Sequence, residues 1–286
     1  MNCWLVVNTF MDSEKFKNLY ELLSNAFKKH HVELEVKRAQ DISLEVGKTI
    51  DSKPDFAIFW DKDIYLAERL EEQGIPLFNS CAAINLCDNK ILMYQELAKH
   101  HIRIPRTFIA PKTFEGLGYN NRDFIENIVQ EIGWPIVIKE AYGSFGEQVF
   151  LANNMNEVNQ IIERIGYHDF LIQEFVSSSK GRDIRINVVG EQVVASMLRE
   201  NENDFRSNIS NGGIGSACQP EHDYLDLAIK ATKALGLSFA GVDVLFGENG
   251  PIICEVNSNP QFASTLNATG INLADYIADY ILRQVC

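Results

Sequence analysis

The stretch that most constrains this chain is FAGVDVLFGENGPIICEVNSNPQF, residues 239–262, which writes two strands and sets an Asp, a Glu and an Asn along them. β-Branched and aromatic residues crowd 240–247 and 251–257, and Glu248-Asn249-Gly250 between them is turn chemistry. Register decides what such a hairpin can do. A two-residue Asn249-Gly250 turn would put Asp243 and Glu255 on opposite faces, since a slip of one residue flips every side chain. A three-residue loop over Glu248-Asn249-Gly250, with Gly250 left-handed, puts Asp243 opposite Glu255. The second register gives a consistent alternation. Val242, Val244, Phe246, Ile252, Cys254 and Val256 become an apolar core face, and Gly241, Asp243, Leu245, Ile253, Glu255 and Asn257 become the other. Asp243, Glu255 and Asn257 are then hard oxygen ligands of the kind Mg²⁺ takes, with nucleotide phosphates completing its octahedron. Gly241 opposite Asn257 leaves room for a ligand, and Leu245 with Ile253 lines an apolar slot for a flat base. The plainer alternative is a solvated hairpin face, where acidic residues cost nothing.

A chain of 286 residues can build one large domain or two to three small ones. Its hydrophobic and charged fractions, 46% and 23%, are those of a soluble globular protein. A formal net charge of −13 argues against a partner with a phosphate backbone or an anionic membrane surface, which need a basic face. Cys3, Cys81, Cys87, Cys218, Cys254 and Cys286 have no Cys-x-x-Cys spacing and no secretory context, so they read as reduced and the location as cytoplasmic. Cys254 falls on the inferred core face, and Cys81 and Cys87 flank a helix start; each reads as a small buried hydrophobe. No apolar run reaches membrane length, and the N-terminus lacks the pattern of a signal peptide.

Strand and helix alternate over residues 1–88: WLVVN, a helical pattern from Asp12 to about Lys29, alternation at Val32, Leu34 and Val36, the buried run DFAIFW, a helix from Ile64 to Gln73, and IPLFN. The pattern predicts an open α/β domain with a parallel sheet. It has no glycine-rich turn after its first strand, so no dinucleotide is assigned to it. Asn8, Thr9, Trp60 and Asp61 lie at strand C-terminal ends, where open α/β sheets bind ligands, and read as loop residues. Asp88 is a candidate helix cap before Lys90. A helix around 121–132 stops at Gly133, and PIVIKE follows as a strand with Lys139 and Val137 on one face. Gly143 and Gly146 bracket Ser144 and Phe145 in a mobile loop whose amides could close over phosphates; alone, two glycines make a turn. Further on come a helix over 156–165, the strand FLIQEFV, a hairpin turning at Gly190-Glu191, and the polar, glycine-rich NDFRSNISNGGIGS. A helix over 222–235 leads into the hairpin 239–257, and a helix over 272–284 closes the chain.

In this order and spacing, DNK at 88–90, PIVIKEAYGSFGEQV at 135–149, IQEFV at 172–176, GRDIRINVVG at 181–190, DFRSN at 204–208, AGVDVL at 240–245, EVNSNP at 255–260 and ATGINLA at 268–274 resemble the ATP-grasp superfamily, and within it the RimK-like carboxylate–amine ligases. The resemblance runs over about residues 80–275. It implies an α/β (α+β) ATP-grasp fold: an N-terminal open parallel α/β domain (1–88), a central subdomain with a phosphate-covering loop (89–170) and a C-terminal subdomain with a metal site (171–286). ATP would lie between the last two. Lys90 and Lys139 would meet its phosphates beneath Gly143, Ser144 and Gly146, the backbone of Gln173, Glu174 and Phe175 would read the adenine edge, and Asp183, Ser207, Leu245 and Ile253 would complete the nucleotide site. Arg206 and Asn208 would sit at the transferred phosphoryl group. Asp243, Glu255 and Asn257 match the family's metal ligands, for two Mg²⁺ or Mn²⁺ ions, in agreement with the register chosen above. Arg185, on one strand face with Asp183, would orient the acceptor carboxylate bidentately or form a structural ion pair.

The implied reaction moves the γ-phosphate of ATP onto a carboxylate and lets an amine displace it, forming an amide. The partners implied are ATP, an amino acid (glutamate by resemblance) and a carboxylate-bearing peptide, protein or small metabolite, with a homodimer or homotetramer as the assembly. The alternatives are a LysX-type ligase acting on an amino-group carrier protein, against which the net charge weighs, and a non-catalytic ATP-binding module. Where glutamate-adding members read Pro-Gly, this chain has Pro260-Gln261-Phe262, which leaves the added amino acid open.

Overall fold

The computed structural model describes residues 1–42 and 45–285; Cys286 lies outside the described residues. The first layer contains β1 (Cys3–Val7), α1 (Glu14–Lys28), β2 (Leu34–Arg38), β3 (Phe56–Trp60), α2 (Ile64–Glu72) and β4 (Leu77–Phe78). Its sheet is parallel, in the order β2-β1-β3-β4. Strands β1 and β3 are buried along their whole length, as continuous apolar runs require when helices cover both faces. On the edge strand β2, by contrast, only Leu34 is buried.

Next come α3 (Cys81–Asp88) and α4 (Lys90–Lys99). The cap between them is Asn89, whose Oδ1 accepts from the N–H groups of Ile91 (2.9 Å) and Leu92 (3.2 Å). Asp88, expected there, ends α3 instead and pairs with Lys62. The second layer has β5 (Thr107–Ile109), α5 (Asp123–Ile132), β6 (Ile136–Glu140), β7 (Val149–Ala152), α6 (Met155–Ile165) and β8 (Phe170–Glu174). Its sheet is antiparallel, β5-β8-β6-β7. The boundary expected at 170/171 therefore falls inside β8, which is held by β5 and β6 on either side.

The third layer has β9 (Arg182–Val189), β10 (Gln192–Glu200), β11 (Ile214–Ala217), α7 (His222–Ala234), β12 (Phe239–Gly247) and β13 (Gly250–Asn257), followed by α8 (Ala263–Thr269) and α9 (Leu273–Val285). Its five strands run antiparallel as β11-β10-β9-β12-β13. Helix α9 returns to the start of the chain, where its Ile277 and Ile281 share a core with Leu23 and Phe27 of α1. Trp60 stacks on Phe239 (ring centroids 5.3 Å apart) and meets Phe262 edge-on, so the first sheet is docked on the third. Asn79, fully buried, fastens the same junction: its Nδ2 donates to Phe239 O and Ser258 O, and its Oδ1 accepts from the N–H groups of Ser238 and Phe239. Among the described residues no helix is long and apolar enough to cross a membrane.

Candidate functional site

The β12–β13 hairpin pairs Asp243 with Glu255 and Gly241 with Asn257, the register that brings the two carboxylates together. It arrives there by a different route. Gly247 pairs with Gly250, so the turn has two residues, Glu248-Asn249, and a bulge between the Asp243 and Val244 rungs supplies the missing residue. A bulge places two residues opposite one and reverses the phase of everything beyond it. Ile253 consequently faces Val244 in the core, fully buried, and does not line the site; Cys254, expected in the core, lines it beside Leu245. The space at Gly241 is also used differently from expectation. A Cβ there would come 2.7 Å from Pro260 Cβ and 3.1 Å from Arg185 Nη1, so the glycine admits protein rather than ligand.

Beside the hairpin, adjacent rungs of β10, β9 and β12 assemble a buried charge network. Arg185 pairs with Asp243 across β9–β12 and Arg199 with Asp183 across β9–β10. Arg185 donates to both oxygens of Asp243, Arg199 donates to both oxygens of Asp183 (2.7 and 2.5 Å), and Arg199 Nη2 also lies 2.9 Å from Asp243 Oδ1. Burial alone would raise the Asp243 carboxyl, but the Arg185 and Arg199 guanidiniums outweigh it and hold the group below the usual carboxylate range. Of the two expectations for Arg185, a substrate carboxylate or a structural ion pair, the structure has the second, with Asp243 taking up its guanidinium, and Asp183 reaches the site with both oxygens bonded.

Between the second and third sheets lies a cavity of about 100 Å³. Into it come Lys139 from β6, Gln173 and Glu174 from β8, Phe175 beyond it, Asp183, Arg206, Ser207 and Leu245. Lys139 is buried. Its Nζ donates to Tyr94 Oη (3.0 Å), and the Tyr94 hydroxyl also bonds Cys254 O. Burial pulls the Lys139 ammonium down, and Glu255 with the anionic forms of Cys254 and Tyr94 pulls it up by more, so its net shift is upward. Burial pushes the neighbouring Cys254 thiol up to about 11 against the pull of Lys139, so that thiol is protonated at neutral pH. Gln173 Nε2 donates to Thr107 Oγ1 (2.7 Å), and the Glu174 N–H goes to Arg106 O (3.1 Å), so Glu174 has no backbone donor left for a base edge.

The glycine loop between β6 and β7 is gripped by cations. Lys90 Nζ donates to Gly143 O (3.0 Å) and lies 3.4 Å from Glu255 Oε1, Lys62 Nζ donates to Ser144 Oγ (3.3 Å), and Arg206 donates to Gly146 O. Gly146 has φ +75°, and a Cβ there would sit 3.0 Å from Asn208 Oδ1, so the loop and Asn208 approach closely. The rest of the Arg206 guanidinium is held by Asp204 (3.0 and 2.7 Å).

A second cavity, of about 320 Å³, lies on the other side of Arg199, Asn208 and Glu255, which line both. Its far wall is the first domain: Asn8 after β1, Trp60 and Asp61 at the end of β3, and Lys15 and Tyr20 of α1. Asn8, Trp60 and Asp61, read as loop in the sequence, are therefore part of a pocket, while Thr9 does not line it. Tyr94 and Arg199 were not anticipated either. Arg199 had one signal, since in the 182–200 hairpin it could be paired with Asp183, but a bulge at Val194 sets that register.

For a metal, the described residues contain no group of three His, Cys, Asp or Glu poised as a cage. An ion at the hairpin would share Asp243 with two guanidiniums. Glu255 and Asn257, whose Nδ2 donates to Gly241 O and whose Oδ1 is left as a ligand atom, are the freer donors. Such a set suits a hard cation that keeps phosphate and water ligands, as Mg²⁺ does.

A model of the RimK-like ATP-grasp domain matches residues 87–281. The MG012 homolog of Mycoplasma pneumoniae is 35% identical over 90% of this chain and 91% of its own. Human N-acetylaspartylglutamate synthase A is 35% identical over 78% of this chain, which spans 56% of that protein's length. Among solved structures, a RimK-domain ATP-grasp protein from Sphaerobacter thermophilus superposes with a TM-score of 0.76 at 21% identity, covering 98% of this chain and 99% of that one.

Proposed function

The chain belongs to the RimK-like ATP-grasp family, and from that premise we propose that it is an ATP- and Mg²⁺-dependent ligase joining an amino acid, glutamate in the first instance, to a carboxylate of a peptide, protein or small metabolite. The observation that carries this reading is the pair of cavities sharing Arg199, Asn208 and Glu255: one walled by lysines, the other large enough for an acceptor. Glutamate is favoured by the name of the human relative.

A carboxylate oxygen of the acceptor attacks the γ-phosphorus of ATP and ADP leaves, giving an acyl-phosphate. The buried ammonium groups of Lys90 and Lys139 offset the negative charge on the phosphates, and Arg206 and Asn208 stand where the transferred phosphoryl group passes. Asp243, Glu255 and Asn257 would hold Mg²⁺, which would supply further positive charge there. The amine of the second substrate then attacks the acyl carbon and gives up a proton, phosphate leaves and the amide forms. Acyl-phosphates hydrolyse, so water must be kept out; the glycine loop, tied to Lys62, Lys90 and Arg206, would cover the phosphates.

The test is ADP and phosphate release from ATP and Mg²⁺ across amino acids, with and without a peptide and metabolite extract, followed by mass spectrometry. A product heavier than its acceptor by one glutamyl unit supports the reading. ATP that binds but never turns over with any pair overturns it in favour of a binding module.

A further inference from the structure

Three residues that line the larger cavity carry buried polar atoms with nothing to bond. Asp61 is only 5% exposed; its Oδ1 accepts from Asn8 Nδ2 (3.0 Å) and from the Lys62 N–H (2.7 Å), but its Oδ2 has no partner. Asn259 donates through Nδ2 to Asp61 O (2.8 Å), and its Oδ1 is buried and unbonded. Gln261 has both Oε1 and Nε2 buried and unbonded. All three residues line the same cavity. Three of these four orphan atoms can only accept.

A buried polar atom without a partner is costly, and a buried carboxylate is ordinarily paired with a cation. Among the described residues no Lys, Arg or His forms an ion pair with Asp61: Lys62 is turned to Asp88, and Lys15 lies over the Phe145 ring. A hydroxyl or a water could donate to these oxygens, but neither brings the positive charge that Asp61 lacks. An ammonium has three N–H donors and that charge.

Resting on the ligase reading above, we propose that Asp61, Asn259 and Gln261 form the subsite for the ammonium group of the amine-bearing substrate, an amino acid. The subsite explains why the first domain reaches into the catalytic cleft: it brings the counter-ion that the ATP-binding layers do not have on this wall. It also places the amine substrate in the cavity that meets the nucleotide cavity at Asn208 and Glu255, where the activated carboxyl would be. The orphan atoms are closed to solvent as they stand, so binding requires the Asp61 and Gln261 side chains to turn toward the ligand. An amino group held there as ammonium must lose a proton before it attacks, so the subsite is a binding and positioning site and its residues are not assigned a proton transfer.

The test uses the full chain with ATP, Mg²⁺, the twenty amino acids and a panel of carboxylate acceptors, and compares wild type with Asp61→Asn and Gln261→Leu. For the amino acid that supports ADP release, Asp61→Asn should raise its KM by about 30-fold or more, the effect of leaving a buried charge pair with one partner. The KM for ATP should stay within about twofold, and the substrate-free variant should melt no lower than wild type, which a structural role for Asp61 would not allow. Gln261→Leu should act in the same direction and more weakly. The des-amino analogue of that amino acid should compete poorly. An unchanged amino-acid KM in Asp61→Asn with ADP release intact overturns the subsite and leaves the ligase standing. If Asp61→Asn does not fold, the same reading is taken from Gln261→Leu. Absence of ADP release by wild type with every pair overturns the ligase reading and the subsite with it.

Discussion

The two cavities meet at the same three residues and are finished to different degrees. In the smaller one the protein answers its own charges: Lys90 by Gly143 O and Glu255, Lys139 by Tyr94, Asp183 and Asp243 by two arginines, Gln173 by Thr107. In the larger one Asp61, Asn259 and Gln261 hold atoms that the protein leaves unbonded. A site whose groups are fixed beforehand has little to reorganise when its ligand arrives, which suits a ligand that is the same in every turnover. A site with bonds missing binds well only what supplies them. Such a site rejects a substrate lacking the right donors far more strongly than an apolar wall rejects an extra methylene. On the ligase reading, selectivity would therefore belong to the wall that Asp61 of the first domain builds with Asn259 and Gln261 of the third layer, and charge compensation to the smaller cavity.

Arg199 is where that contrast breaks most severely, since it borders both cavities and bonds two buried carboxylates. Arg199→Met keeps the bulk and leaves Asp183 and Asp243 facing each other with one guanidinium; urea unfolding should register a loss of about 3–5 kcal/mol. A loss below about 1 kcal/mol, the range of an exposed pair, would mean that the network does not hold the strands together. Glu255→Ala should separate function from stability. Its side chain is 29% exposed and its contact with Lys90 is long, so folding should change little while kcat/KM falls by about 10³-fold through lost phosphoryl and metal contacts. Full activity in Glu255→Ala would remove it from the metal site.

Much of the smaller cavity could be read from residues in line. The parallel first sheet followed from unbroken apolar runs in β1 and β3, the helix stop from Gly133, and the meeting of Asp243 with Glu255 from alternation alone. What escaped were the two bulges, at Cys254 and at Val194, because a bulge is a backbone event that no side chain announces. The larger cavity escaped for another reason. Asn259 bonds Asp61 across 198 positions of sequence, and nothing near Asp61 signals the wall it will face. Gln261 did stand out, as a departure from Pro-Gly, though its surroundings could not be inferred.

The bulge at Cys254 makes its own prediction, of intermediate size. Ile253 packs opposite Val244 with no exposure, so Ile253→Ala should cost about 2–4 kcal/mol in unfolding and leave the KM for ATP unchanged. Leu245 borders the cavity and is half-buried, so Leu245→Ala should raise that KM by about three- to tenfold at a smaller cost in stability. The unbulged register exchanges part of this result, giving Ile253→Ala the larger effect on ATP.

The smallest effect separates the cavities by sign. Burial is the main reason the Asp61 carboxyl is raised, with the Asn8 and Lys62 N–H groups easing it only partly. An acid with a higher pKa folded than unfolded holds its proton more readily when folded, so folding is favoured at low pH and the advantage is lost as pH rises through the folded pKa. Asp61→Asn cannot titrate. Its melting temperature minus that of wild type should therefore be least near and below the ordinary carboxylate range and grow in favour of Asn as pH rises through the raised pKa; groups common to both proteins cancel. Asp243 behaves in the opposite sense, because its arginines hold it low and its ionised form stabilises the fold. Saturating amine substrate should close the gap at Asp61 by supplying the missing cation. A gap that ignores pH, or that persists with substrate bound, would place the counter-ion of Asp61 inside the protein and make the two cavities alike.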